Sequence, residues 1–271
     1  MNRELSAAAI SRELDRLGST APRPISIAVV TTSTNDDARA AAGAGAPDGA
    51  VFLAEEQTAG RGRGAHAWHS PPRENVYLSL VLRPRLPARR VAPISLAIGV
   101  AVARALESCL GGDASVALKW PNDVLVGGRK LAGILVEGQL RGDVVTSLVL
   151  GVGVNVHSQR FPPELEGHAT SLRLLGSAEL DRNVVAARLV AEMTARVRVF
   201  EREGFASIKG ELTRRDALLG QQIAVEDLRG VASGIDDDGR LLVRDDDGST
   251  RAIVAGEVRS GALGTVRVLR E

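Results

Sequence analysis

The stretch LKWPNDVLVGGRKLAGILVEG, residues 118–138, decides the fold of this chain. An apolar run leads into a Pro-Asn-Asp turn and then into a Gly-Gly turn, which is the pattern of short strands joined by tight turns. The apolar runs Ile134 to Glu137 and Thr146 to Val156 flank the turn Gln139 to Asp143, and we expect them to pair as strands. The stretch therefore predicts part of a β-sheet.

Helical patterns lie on both sides of these strands in the sequence. An alanine-rich run, Asp36 to Ala44, follows a predicted strand at Ile25 to Val30. The run Ile94 to Leu110 begins just after Pro93, and Asn183 to Phe200 has apolar residues at helical spacing. These elements predict an α+β fold in which a mixed β-sheet carries flanking helices.

From Leu219 onward the sequence changes to four short apolar runs separated by turns rich in glycine and aspartate. This pattern predicts a small SH3-like β-barrel. The triplets Asp236 to Asp238 and Asp245 to Asp247 lack the closing glutamate of an EF-hand loop, so we interpret them as hairpin turns. We divide the chain into an N-terminal helical segment at residues 1–24, a main domain at residues 25–216 and an SH3-like domain at residues 217–271.

Composition and charge exclude several classes of protein. The chain has 271 residues, of which 44% are hydrophobic and 25% are charged, which excludes a largely disordered protein. Its formal net charge of +1 gives no overall attraction to nucleic acid or to an anionic membrane. The basic cluster Arg83 to Arg90 is interrupted by prolines, and we interpret it as solvated or docked on a partner protein.

The sequence also bounds the cellular location. The single cysteine, Cys109, cannot form an internal disulfide, which fits a reducing compartment. The N-terminus carries charges throughout, and no run of about 18 uncharged apolar residues predicts a membrane span. We expect a cytoplasmic protein with neither a nucleic-acid nor a membrane partner.

A loop rich in arginine and glycine, AEEQTAGRGRGAHAW at residues 54–68, carries candidate anion-binding groups. Arg61 and Arg63 provide planar donors that match carboxylate and phosphate oxygens. Taken alone, the loop fits a solvated surface segment equally well, and Lys130 alone fits a solvated lysine. The loop lacks the Gly-Lys-Ser/Thr ending of a Walker loop, and Val156 stands where a dinucleotide-binding fingerprint needs its third glycine. These two standard nucleotide-binding motifs are therefore excluded.

Five short strings occur in a fixed order: STN at residues 33–35, QTAGRGR at 57–63, KWPND at 119–123, GRKLAGIL at 128–135 and GVGVN at 151–155. In this order they resemble the bacterial biotin protein ligases. The resemblance runs from about Ile25 to the C-terminus and implies a class II synthetase-like catalytic domain followed by the small barrel.

The resemblance implies a reaction in two steps. Biotin and ATP form biotinyl-5′-AMP and pyrophosphate, and the biotinyl group then passes to a lysine of a biotin carboxyl carrier protein, a domain of a carboxylase. Magnesium is expected with ATP, but no cage of carboxylates identifies its ligands, and His66 and His69 have no third and fourth ligand for a zinc ion.

The resemblance also implies residue roles. Lys130, Arg61 and Arg63 are the expected catalytic cations around the biotin carboxylate and the α-phosphate. The residues implied in biotin binding are Ser33, Thr34, Asn35, Gln57, Gly60, Arg61, Gly62, Arg63, Lys130, Gly133, Leu135 and Gly151. Those implied in ATP binding are Arg61, Arg63, Trp68, Asp123, Lys130 and Asn155.

Three other functions compete with that of a monofunctional biotin ligase. Some biotin ligases are also DNA-binding repressors, but the roughly 24 residues before the first predicted strand provide neither a helix-turn-helix nor a basic face, so we expect the monofunctional type. A lipoate or octanoate ligase has a related fold, and a non-catalytic biotin or nucleotide sensor would bind ligand without transfer. The sequence leaves monomer and homodimer open.

After Gly64 the loop departs from the family pattern, because Ala65 and His66 stand where the bacterial enzymes commonly have a glycine and an arginine. A histidine is only partly protonated near neutral pH, so we predict weaker, pH-dependent retention of the adenylate. His66→Arg should slow the dissociation of biotinyl-AMP, most clearly at about pH 8. The same dissociation rate in both proteins from about pH 6 to about pH 8 would show that His66 does not contact the adenylate.

Overall fold

The computed structural model describes residues 4–19, 24–64, 66–111, 115–177 and 179–261. Its larger sheet has seven strands in the order β1-β2-β3-β7-β6-β5-β4. β1 and β2 are parallel and the other neighbours are antiparallel, which confirms the predicted mixed sheet. The strands are β1 (Ile25–Thr31), β2 (Val51–Gln57), β3 (Val76–Leu82), β4 (Val116–Lys119), β5 (Asp123–Val126), β6 (Arg129–Arg141) and β7 (Val144–Val154).

Within the described ranges five α-helices accompany the two sheets: α1 (Ala7–Arg16), α2 (Thr34–Gly43), α3 (Val91–Leu110), α4 (Arg182–Glu203) and α5 (Ala206–Arg215). Helix α2 is the crossover between the parallel strands β1 and β2, which is the connection that parallel strands need. Helix α5 is not among the elements predicted from the sequence. Two short 3₁₀ helices lie at Ala88–Arg90 and Pro163–Leu165.

The core lies where α3 packs between the sheet and α4. Over Pro93–Leu110 the helix is long and apolar enough to cross a membrane by length and composition, but 72% of these residues are buried inside the protein. Burial on nearly all sides explains why α3 is apolar around its whole circumference, as expected of a core helix.

The second sheet is antiparallel, in the order β11-β10-β9-β8-β12. Its strands are β8 (Gln222–Val225), β9 (Leu228–Ile235), β10 (Leu241–Arg244), β11 (Thr250–Ile253) and β12 (Val258–Ser260). Within the described residues β11 and β12 form the two edges, so the barrel expected here is observed as a five-stranded sheet. The last ten residues of the proposed 217–271 domain lie outside the described residues. Both aspartate triplets lie in hairpin turns, as predicted.

Arg83, the first residue of the basic cluster, has a structural task that the sequence analysis missed. Its guanidinium donates to the carbonyl oxygens of Ala42 (2.8 Å), Ala46 (2.9 Å) and Thr146 (3.2 Å). Carbonyls at the end of a helix have no partner within the helix, and an arginine commonly satisfies them. Arg83 therefore fastens the C-terminal end of α2 and is neither simply solvated nor available to a partner.

A buried ion pair joins the sheet to α4 and to the N-terminal segment. Arg182 Nη1 lies 2.7 Å from Glu55 Oε2, and the two side chains are 1% and 8% exposed. Arg182 also donates to the carbonyl of Asn75 at 3.2 Å, while Glu55 Oε1 accepts from the backbone N–H of Leu5 at 2.7 Å. The pair thus fixes three segments of the chain at once.

We predict that Arg182→Met lowers the free energy of unfolding by about 3–5 kcal/mol, because it leaves the Glu55 carboxylate buried without its counter-ion. Urea titration followed by circular dichroism measures this change. The matched control is Arg198→Met, which breaks a half-exposed pair with Asp48 and should cost at most about 1 kcal/mol. Equal losses in the two variants would contradict the role assigned to the buried pair.

Candidate functional site

A cavity of about 460 Å³ opens between the start of α2, the arginine-glycine loop, the face of β6 and β7, and the KWPND turn. A segment of the second sheet, Gly256 to Arg259, completes the rim. Predicted site residues that line this cavity are Ser33, Thr34, Asn35, Gln57, Arg61, Gly62, Arg63, Trp68, Asp123, Lys130, Gly133, Leu135 and Gly151. Gly60 and Asn155 do not line it.

One end of the cavity is a polar cluster built on the first turn of α2. The backbone N–H and the hydroxyl of Thr34 donate to Gln57 Oε1, at 2.9 and 3.2 Å. The Gln57 amide in turn donates to the Ser70 hydroxyl at 2.9 Å, and the Ser79 hydroxyl donates to Asn35 Oδ1 at 2.6 Å. Mutual hydrogen bonds orient these buried groups before a ligand arrives.

Glycines on β6 and β7 form the floor beside this cluster. A Cβ atom on Gly151 would lie 2.0 Å from Asn35 Oδ1, and Cβ atoms on Gly133 and Gly153 would lie 2.8 and 2.3 Å from the Trp68 ring. Side chains there would displace either the amide or the indole. The sheet therefore needs glycine at these positions.

The arginine-glycine loop folds back on itself as a short antiparallel turn. Arg61 and Ala67 form a β-bridge, and the Gly62 N–H donates to the His66 carbonyl at 2.7 Å. A Cβ atom on Gly60 would lie 2.6 Å from Ser70 Oγ, so this glycine shapes the base of the loop from outside the cavity. His66 lines the cavity, while the predicted departure at Ala65 lies outside the described residues.

Lys130 and Asp123 form an ion pair within the cavity, with 2.6 Å between Nζ and Oδ1. The lysine ammonium also lies 5.4 Å from the centroid of the Trp68 ring, within range of a cation–π contact. The backbone of Lys130 is fixed by hydrogen bonds with His168 (2.7 Å) and Thr170 (2.9 Å). The cation is therefore held by both its main chain and its side chain.

The two arginines of the loop contact different groups. Arg61 Nη2 lies 2.9 Å from Glu137 Oε2 and 3.0 Å from Asp36 Oδ1. The Arg63 guanidinium lies 5.8 Å from the ring centroid of Trp120, and burial lowers the pKa of this guanidinium. Because arginine remains a cation over the physiological range, both side chains can meet an anion in the cavity.

Lys119 adds a further cation that the sequence analysis did not assign. Burial lowers the pKa of its ammonium, the neighbouring Asp123 opposes this shift, and Lys130 reinforces it. Together with Lys119, the lysines and arginines that line the cavity outnumber the carboxylates; the cations are Arg61, Arg63, Lys119, Lys130 and Arg259, and the carboxylates are Asp123 and Glu257. The cavity is thus suited to a ligand that carries several negative charges.

Asn155, expected at the adenine, is buried and does not line the cavity. Its amide donates to the carbonyl oxygens of Thr170 at 3.0 Å and Lys130 at 3.4 Å. The side chain therefore supports the backbone behind Lys130 from outside the cavity. Its contact with adenine stays a prediction.

Several site residues that were not predicted could have been found from patterns in the sequence. Alternate residues of a strand share one face, so Gly133 and Leu135 on β6 also point to Glu137, and Gly151 on β7 points to Gly153. Trp120 lies within the KWPND string itself. No pattern in the sequence indicates Arg259, because the second sheet reaches the cavity only through tertiary packing.

Among the described residues no group of three or more His, Cys, Asp and Glu side chains could hold a metal ion. Asp123 and Glu257 are the carboxylates that the cavity offers.

Comparisons with known proteins agree with this geometry. The model of the biotin/lipoate A/B protein ligase family matches residues 27–155, and the model of the biotin protein ligase C-terminal domain matches residues 218–259. The biotin acetyl-CoA-carboxylase ligase of Mycobacterium tuberculosis is 39% identical over 244 residues, which cover 87% of this chain and 88% of that protein. The ligase of the same name from Paracoccus denitrificans is 35% identical, over 85% of this chain and 98% of that protein.

A solved structure extends the likeness to three dimensions. The biotin protein ligase of Aquifex aeolicus in complex with biotin and ATP superposes with a TM-score of 0.75 and is 26% identical, covering 88% of this chain and 98% of that one. The matches span both the larger sheet and the second sheet. The chain belongs to the biotin protein ligase family.

Proposed function

We propose that this protein activates biotin with ATP and transfers the biotinyl group to a lysine of a biotin carboxyl carrier domain. One observation carries the proposal: a single cavity joins the polar cluster at Thr34, Asn35 and Gln57 to the Lys130–Asp123 ion pair across a floor of glycines. The polar cluster suits the ureido ring of biotin, which has both donors and an acceptor. The cations suit the phosphates of ATP.

In the first step an oxygen of the biotin carboxylate forms a bond to the α-phosphorus, and the bond from that phosphorus to the bridging oxygen of pyrophosphate breaks. Both reactants are anions, so the barrier depends on positive charge held in place beforehand. Lys130, Arg61 and Arg63 supply that charge from two sides of the cavity. Each is already oriented by a carboxylate or an aromatic ring, which reduces the reorganisation needed during the reaction.

We propose Mg²⁺ as the ion that accompanies ATP, held chiefly by phosphate oxygens, with Asp123 and Glu257 as the available carboxylates. The ion would screen the phosphate charge. In the second step the carrier lysine attacks the acyl carbon of biotinyl-AMP, AMP leaves, and one proton is released.

The carrier domain of a carboxylase is the proposed macromolecular partner. The names of the Mycobacterium and Paracoccus relatives support this choice, because they identify acetyl-CoA carboxylase as the protein those enzymes modify. We propose a cytoplasmic location, since the single cysteine, Cys109, is buried and has no second cysteine in the chain with which to form a disulfide.

Incubation with biotin, MgATP and a carrier domain, followed by intact-mass measurement, tests the function. We expect the carrier to gain the mass of one biotinyl group, and a carrier with arginine in place of its acceptor lysine to gain nothing. Parallel reactions with lipoate and octanoate test the related ligases. Transfer of octanoate alone would replace the proposal with an octanoate ligase, and binding without transfer would replace it with a sensor.

We predict that Lys130→Ala lowers the rate of biotin-dependent ATP–pyrophosphate exchange by about 10²–10³, the usual cost of removing one preorganised donor to a transition state. The matched control is Arg129→Ala, which removes the neighbouring exposed cation on β6 and should retain exchange. Circular dichroism should show both variants folded. Near-normal exchange in Lys130→Ala would remove this lysine from the mechanism.

A further inference from the structure

Glu137 connects the two ends of the cavity from just behind its wall. One carboxylate oxygen, Oε2, accepts from Asn35 Nδ2 at 2.7 Å and from Arg61 Nη2 at 2.9 Å, and Oε1 lies 3.2 Å from the same nitrogen of Arg61. Asn35 belongs to the polar cluster and Arg61 to the arginine-glycine loop. A single side chain therefore binds one group from each half of the site.

The contact with Glu137 fixes which way the Asn35 amide faces. A carboxylate can only accept hydrogen bonds, so the NH₂ group of Asn35 must lie toward Glu137 and the carbonyl of Leu135, 3.4 Å away. The amide oxygen then lies toward Ser79 and the glycine floor at Gly151. Asn35 consequently offers an acceptor, and an acceptor is what the N–H groups of a ureido ring require.

The contact of Glu137 with Arg61 is an ion pair between partly exposed side chains, Arg61 at 35% and Glu137 at 25%. Asp36 adds a second carboxylate at 3.0 Å, so two carboxylates hold this arginine within the protein. Such a half-exposed pair is weak enough to exchange for a stronger anion. A triphosphate in the cavity is such an anion.

We propose that Glu137 is a positioning residue that couples the two substrate sites. It fixes the acceptor face of Asn35 for biotin, and it holds Arg61 at the cavity until the phosphates of ATP take that arginine over. This inference rests on the proposed ligase function and adds to it a residue that touches neither substrate.

The variant Glu137→Gln tests the coupling because it keeps the shape and removes the charge. We expect the KM for biotin in pyrophosphate exchange to rise about tenfold or more, the equivalent of one charge-assisted hydrogen bond. We expect kcat to fall by a smaller factor, because Asp36 still holds Arg61 at the cavity. In the empty protein, trypsin should cut after Arg61 faster than in the wild type. The matched control Asp36→Asn loosens Arg61 without touching Asn35, so it should raise the cleavage rate and leave the KM for biotin within about twofold.

A double variant separates coupling from general damage. Because Glu137 acts on biotin through Asn35, the KM for biotin in Asn35→Ala/Glu137→Gln should equal that in Asn35→Ala alone. If the two substitutions multiply their effects on the KM for biotin, or if this KM is unchanged in Glu137→Gln, the inference is overturned.

If circular dichroism shows Glu137→Gln unfolded, Glu137→Asp takes its place, since the shorter side chain should also raise the KM for biotin. An unchanged KM in Glu137→Asp would again overturn the coupling. Absence of any biotin-dependent exchange in the wild type would instead reject the ligase function itself.

Discussion

The ion pair between Lys130 and Asp123 is the interaction on which the rest of the site depends. It fixes a cation inside a cavity where two anionic substrates have to meet, and it does so before either is present. Asp123 begins β5 and Lys130 lies near the start of β6, so the tight turn between these strands places the pair. The segment at His168 and Thr170 then fixes the lysine backbone from the other side.

Around this pair the surface of the sheet is flat, because glycines without side chains occupy it. Gly133, Gly151 and Gly153 leave room for an amide and an indole where other residues would place a Cβ atom. The same absence of side chains lets a ligand lie against β6 and β7. Rigidity of the floor and charge around the rim are thus provided by different parts of the chain, and the second sheet contributes to the rim through Gly256 to Arg259.

Local patterns explain what could be predicted from the sequence. The KWPND string ends on β5 and GRKLAGIL begins β6, and a two-glycine turn joins the two strands, so their pairing follows from short-range rules. The ion pair between Asp123 and Lys130 also depends on a register shift, which no short-range rule indicates. The strand pattern placed Glu137 on the face of Gly133 and Leu135, but its role depends on tertiary contacts with Asn35 and Arg61 that no local pattern indicates. Arg83 was misjudged because a basic cluster interrupted by prolines gives no sign that one member caps a distant helix.

The second sheet was only partly predicted from local sequence patterns. Its four short runs predicted strands, yet nothing in them indicated β12 or the approach of Arg259 to the cavity. The Asn155 amide donates to the carbonyl oxygens of Thr170 and Lys130, and its expected contact with adenine stays a prediction. Contacts between elements far apart in the chain are set by packing, which local sequence patterns do not encode.

A single-turnover transfer tests the central claim, that one cavity both makes and keeps an activated acyl group. The enzyme is incubated with biotin and MgATP, separated from free nucleotide by gel filtration, and mixed with a carrier domain in the absence of ATP. We predict that the carrier gains one biotinyl group and that AMP appears in equal amount. An unlabelled carrier, with no AMP released, would contradict the account.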